Sequence, residues 1–117
     1  RENESGELCC YDDPSISPQE VLDAMPPELV DVMGVMHSSA NITGRGIETI
    51  QNVWSGPLSA YPDSGFFKLP DWQFENILTP QELLDFSKEW YGMGTRILGG
   101  CCGLGPEHIE AISELKS

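Results

Sequence analysis

Helix-start signals and short β-prone apolar stretches alternate along the whole chain, and this alternation restricts the fold more than any other feature. Ser17-Pro18-Gln19-Glu20 and Thr79-Pro80-Gln81-Glu82 are the same device used twice. Each has a hydroxyl cap, Pro in the first turn and Glu three residues after the cap. Val21, Leu22 and Met25 supply the buried stripe of the first helix, and Pro26-Pro27 stops it. Residues 30–36 (VDVMGVM) are rich in β-formers and nearly uncharged, which predicts a strand buried on both faces. A polar stretch over 37–41 follows. The pattern then predicts a helix over 46–54 with Ile47, Ile50 and Trp54 on one side, a strand over 58–61, and a long loop over 62–78. In the helix after Thr79, Leu83, Phe86 and Trp90 share a face. Residues 96–98 read as a third strand, and Gly105-Pro106-Glu107 opens a last helix with Ile109, Ile112 and Leu115 inward. Helix, strand, helix, strand, helix, strand, helix is an α/β order. It implies three parallel strands joined by right-handed crossover helices and adjacent in sequence order. Three strands are too few to close an eight-stranded barrel of about 250 residues.

The chain has 117 residues, room for one small domain, and residues 1–16 are polar, turn-rich and irregular. Its net charge of −13 comes from 19 acidic against 6 basic side chains. Nucleic-acid phosphates and anionic lipid surfaces attract clustered Lys and Arg, so neither nucleic acid nor membrane is an expected partner. No apolar run approaches the roughly 20 residues that span a bilayer. No signal-peptide pattern opens the sequence, and Arg1 in place of an initiator Met is what a processed chain or a part of a longer one would show.

The four cysteines form two adjacent pairs, Cys9-Cys10 and Cys101-Cys102. A bond between neighbours closes almost no loop, so these are poor staples. Reduced thiols in a cytoplasmic setting are the better reading. The block from Gly99 through Gly100, Cys101, Cys102 and Gly103 to Pro106-Glu107-His108-Ile109 puts two thiols where a strand ends, flanked by glycines that let the backbone turn. Parallel α/β folds build their sites at the carboxyl ends of strands. His37 follows the first strand, and the turn Tyr61-Pro62-Asp63-Ser64-Gly65 follows the second, so all three groups reach one rim. His37, Cys101 and Cys102 would make a three-ligand zinc set with an open fourth position. The same residues can also be read as two small buried hydrophobes and a hydrogen-bonded loop histidine. Cys9-Cys10 reads as an ordinary thiol pair, and His108 as a capping or solvated residue in a first helical turn.

Residues 17–117 resemble the C-terminal part of the zinc-dependent homocysteine S-methyltransferase family, whose fold is a TIM barrel. Gly99 to Ile109 matches the GGCC and Gly-Pro-Glu-His-Ile pattern that ends that family's last strand. Gly34-Val35-Met36-His37-Ser38-Ser39 lies where the family has a Gly-Val-Asn-Cys-like motif, and Tyr61 to Gly65 matches a Tyr-Pro-Asn-Ser-Gly turn. The resemblance implies a partial TIM-type (β/α) barrel with zinc held by His37, Cys101 and Cys102. Tyr61, Asp63, Ser64, Gly65, Gly99 and Gly100 would line the site. It also implies methyl transfer from a donor to the thiol of homocysteine or a related thiol. The alternative is a non-catalytic zinc-binding half-barrel that acts by associating with a partner chain.

Two departures bear on that implication. His37 replaces the family's first zinc-binding Cys, and Asp63 replaces the Asn of the turn. Three thiolates around Zn²⁺ give −1, whereas two thiolates and a neutral imidazole give zero, a stronger Lewis acid. The family's N-terminal half, which holds the amino-acid part of homocysteine, has no counterpart here. A partial barrel leaves parallel strand edges unpaired, so a second copy or a complementary barrel half is expected to cover them.

Overall fold

A computed structural model describes residues 1–64, 66–68, 71–73 and 76–116. Helix α1 (Pro18–Ala24) starts at the expected capping box, with Ser17 accepting from the Glu20 N–H while the Glu20 carboxylate takes the Ser17 N–H. A 3₁₀ turn at Pro27–Leu29 leads to strand β1 (Met33–Ser39), then α2 (Ala40–Gln51) and β2 (Leu58–Asp63). Short strands β3 (Phe66–Lys68) and β4 (Asp71–Gln73) follow, then α3 (Pro80–Gly92), β5 (Ile97–Leu98) and α4 (Pro106–Ile112), with a closing 3₁₀ turn at Ser113–Leu115. Strands β1, β2 and β5 form one open parallel sheet in that order, as the alternation requires. The fold is therefore α/β, a three-stranded parallel piece with crossover helices.

The core lies between this sheet and α2, α3 and α4. Met33, Leu58 and Ala60 meet Ile47, Ile50, Leu83, Trp90 and Ile112 there. Trp90 is completely buried and stacks on Phe86 at 5.8 Å, so the predicted face of α3 holds.

Several expectations are corrected. The first strand runs over Met33–Ser39 rather than 30–36, because strand structure begins only where β2 supplies a partner, Leu58 beside Met33. It is an edge strand, and Met36 is 59% exposed, so it is not buried on both faces. Helix α2 begins at Ala40, six residues before Gly46, and ends before Trp54. Burial of Ile42 and Thr43 outweighs the weak helix propensity of Asn41, Thr43 and Gly44. Gly46 is required by packing, since a Cβ there would meet the Val35 side chain at 2.8 Å. Residues 62–78 are not structureless: β2 extends through Asp63, and β3 and β4 pair antiparallel, Phe67 beside Trp72. Val21 and Ile109, expected inward, are exposed. Residues 1–16 carry only an isolated bridge between Glu2 and Leu8, and Arg45 ties the segment to α2 through the Glu2 carboxylate and the Gly6 carbonyl.

Candidate metal centre

The parallel ladder carries its donors to one rim. Past the end of β5 the cross-strand bonds continue: the Gly99 N–H donates to the Ala60 carbonyl at 3.0 Å and the Cys101 N–H to Pro62 at 2.9 Å. The Ser64 N–H then donates to the Cys102 carbonyl at 2.9 Å. Cys101 and Cys102 are thus fixed beside Pro62, Asp63 and Ser64. Gly103 turns the chain away at φ +79°, a conformation that favours glycine.

Two nearby glycines serve packing. A Cβ on Gly99 would lie 2.3 Å from the Tyr61 ring, and one on Gly100 would lie 2.9 Å from the Leu104 Cβ. Tyr61 and Ser64 stand beside the cysteine segment, with the Ser64 hydroxyl accepting from the Leu78 N–H at 2.6 Å. Gly65 lies outside the described residues.

His37 occupies a bulge near the end of β1, where the register with β2 shifts between Met36 and Ser39. Its φ of +53° is unusual for a side chain with a Cβ and turns the imidazole toward the rim. The Nδ1 atom lies 3.6 Å from the Cys101 sulfur and 3.3 Å from Asp63 Oδ2. The two sulfurs are 3.9 Å apart. Asp63 is buried, and its Oδ1 accepts the Cys102 N–H at 2.7 Å. One donor atom each from His37, Asp63, Cys101 and Cys102 lie within 4.8 Å of one another. No other such group of three or more donors occurs among the described residues.

The spacing fits a tetrahedral cation. Ordinary Zn–S and Zn–N bond lengths give tetrahedral edges of about 3.8 Å between sulfurs and about 3.5 Å between sulfur and nitrogen. Both observed edges match. All four cysteines are free. Burial, aided by the Asp63 carboxylate, pushes the Cys101 thiol up to about 11, while the Cys102 N–H acts in the opposite direction. A cation held here would take this sulfur as the thiolate.

Of the residues anticipated as ligands, His37, Cys101 and Cys102 do converge, and Asp63, anticipated as lining, stands among them. Cys9 and Cys10 are outside the group. Cys9 is buried with its sulfur 3.5 Å from the Arg1 carbonyl. Both line a cleft of about 450 Å³ together with Tyr11 and His37, whose ring centroids are 6.4 Å apart. His108 is buried rather than solvated. It caps α4 by accepting the Gly105 N–H at Nδ1 and donates from Nε2 to the Leu78 carbonyl. No described helix is long and apolar enough to cross a membrane.

A family model described as homocysteine S-methyltransferase matches residues 12–115. A betaine–homocysteine S-methyltransferase 1 of Mus musculus is 30% identical over 115 residues, covering 90% of this chain and 24% of the relative. The Pongo abelii enzyme of the same name is 39% identical over 70 residues, 54% of this chain and 17% of the relative. An S-methylmethionine–homocysteine S-methyltransferase of Rattus norvegicus is 40% identical over 53 residues, 43% of this chain and 15% of the relative. The chain spans a quarter or less of the length of these relatives.

Proposed function

Since the chain belongs to the homocysteine S-methyltransferase family, we propose that it carries the zinc-binding end of a methyl-transfer site. The acceptor would be the thiol of homocysteine or a related compound. The observation behind this reading is the convergence of His37, Cys101 and Cys102 on one rim of the parallel sheet. Zinc held by these three residues supplies a position at which an acceptor thiol stays deprotonated near neutral pH. His37 serves as a neutral imidazole, and the bulge in β1 sets its direction. Tyr61 and Gly99 pack against each other under the rim and keep the cysteine segment in register. Ser64, Gly65 and Gly100 complete the lining.

The acceptor's sulfur forms the new S–C bond, and the donor's former methyl-bearing atom keeps the electron pair of the bond that breaks. The relatives' names give betaine and S-methylmethionine as donors, and both carry the methyl on a positively charged atom. A donor of that class leaves without needing a proton from the protein. Residues 17–117 would form the C-terminal part of the barrel, so the site acts as part of a larger or oligomeric barrel. Unbonded thiols support a reducing, cytoplasmic setting. A second reading, a zinc-binding half-barrel that acts by association alone, is favoured by the open sheet edge at β1.

Two measurements test the proposal. The purified chain is expected to hold one zinc, lost in Cys101→Ser and in Cys102→Ser. Methyl transfer to homocysteine, assayed with and without a complementary barrel half, is expected only with the complement. Activity in neither condition, with zinc retained, selects the second reading. Absence of zinc, or zinc retained in both serine variants, overturns both.

A further inference from the structure

We propose that His108 is a positioning residue of the metal centre: its ring ties the turn after Cys102 to Leu78 and so fixes where both sulfurs point. The inference rests on the zinc reading above and takes up a side chain to which that reading gives no part. A solvated or merely capping histidine would leave one ring nitrogen to water. This one is 4% exposed and uses both. Nδ1 accepts the Gly105 N–H at 3.0 Å, and a backbone N–H can only donate. The Leu78 carbonyl can only accept, so Nε2 carries the proton. With Nδ1 unprotonated, the Glu107 carboxylate 3.5 Å away has no proton to accept there.

Capping α4 accounts for the Nδ1 bond alone. The Nε2 bond reaches 30 residues back along the chain and closes a circuit through the rim. The Leu78 N–H donates to Ser64 Oγ at 2.6 Å, and the Ser64 N–H donates to the Cys102 carbonyl at 2.9 Å. From Cys102 the segment Gly103-Leu104-Gly105 leads back to the His108 ring. That return path contains two glycines, one of them at φ +79°, and glycine has the most backbone freedom to lose. Ahead of the pair, the Cys101 N–H is bonded to the Pro62 carbonyl at 2.9 Å. Without the Nε2 bond the circuit opens at α4, and the turn keeps its polar ties to β2 alone. The sulfur pair at 3.9 Å, with His37 Nδ1 3.6 Å from Cys101, is the arrangement that the closed circuit holds ready for a cation. Groups that orient metal ligands from behind in this way govern affinity although they never touch the ion.

Two variants separate the clasp from the cap. His108→Asn puts its amide oxygen near the Nδ1 position and keeps the Gly105 N–H, but it is too short to reach Leu78. His108→Gln reaches Leu78 with its amide N–H and gives up the Gly105 bond. Zinc affinity, read by competition with a chromophoric chelator, is expected to fall about tenfold in His108→Asn and to be largely recovered in His108→Gln. The visible spectrum of the Co²⁺-loaded chain is expected to change in His108→Asn and to match the wild type in His108→Gln. A histidine that only caps α4 gives the reverse order; that order, or equal affinities in the two variants, overturns the proposal. The thiols can also be read without a metal ion. In a Cys9→Ser, Cys10→Ser background, phenylarsine oxide bridges Cys101 and Cys102 with loss of water. It is expected to dissociate faster from His108→Asn than from His108→Gln, and equal rates overturn the clasp. A wild type that binds no zinc but keeps this arsenical order overturns the proposed function and leaves the clasp standing.

Discussion

At Cys101 the surroundings oppose ionisation of the thiol. Burial and the neighbouring carboxylate hold its thiol protonated up to about 11. In the metal-free chain its alkylation rate, followed by peptide mass mapping, should still rise about tenfold per pH unit beyond 9 and level off near 11, since only the thiolate reacts. A plateau at the ordinary thiol value would contradict the burial argument. The sign for stability is the same: a raised folded-state value contributes below the unfolded thiol's range and is lost as pH climbs toward 11. His37 is a different case, because its removal leaves both sulfurs and Asp63 in place. His37→Ala should weaken zinc binding without abolishing it, whereas either cysteine replacement should abolish tight binding. Equal losses for all three, measured with the same chelator, would mean that the bulge in β1 shapes the cysteine segment itself. The glycines and paired thiols of residues 99–103 were legible in the sequence, because local composition already marked a turn at a strand end. The approach of Asp63 to within 3.3 Å of the His37 ring nitrogen was not. It depends on the positive φ of His37 and on the ladder between 62–64 and 101–102, neither of which leaves a local sequence signal.

At the scale of elements, α3 shows how much one cap contributes. The Glu82 carboxylate accepts the Thr79 N–H at 2.7 Å and the hydroxyl at 3.0 Å, and those bonds hold it below the usual carboxylate range. A depressed value contributes stability above the unfolded-state value and loses it as pH falls through the folded one. Thr79→Ala should cost about 1 kcal/mol at neutral pH and should flatten the acid dependence of amide exchange in α3. An unchanged exchange profile would remove the cap from the account. Trp90 anchors the same helix from its other side, and Trp90→Ala should cost about 3–5 kcal/mol in denaturant unfolding. Both helix starts were legible because a capping box is local. Strand limits were not, since Met33 rather than Val30 begins β1 only because Leu58 lies opposite. The start of α2 was missed for the same kind of reason. Ile42 and Thr43 are buried by distant parts of the chain, and Gly44 and Gly46 weaken the local signal.

For the whole molecule, the accessible surface is the telling quantity. It is 7174 Å² for a 12.9 kDa chain, whereas a compact monomer of that mass exposes about 6,300 Å². The surplus goes with large apolar side chains left outside: Met36 on the edge strand β1, Ile97 on the opposite edge strand β5, and Leu29 and Val32 just before β1. Parallel sheets ordinarily have both faces covered, and their edges invite another strand. The chain is therefore expected in solution as a homo-oligomer, or with a complementary barrel half, in a contact burying at least about 1,000 Å² in total. Sedimentation analysis with circular dichroism checks this directly. The chain alone should sediment above 12.9 kDa, or should lose helix content on dilution. A double variant, Val32→Lys with Ile97→Lys, places charge beside both open edges while leaving the four donors untouched. It should shift the chain toward a monomer with reduced helix content. A monodisperse wild-type monomer with full helix content in dilute solution would show that three parallel strands and their helices suffice by themselves, and the assembly would drop out of the proposed function.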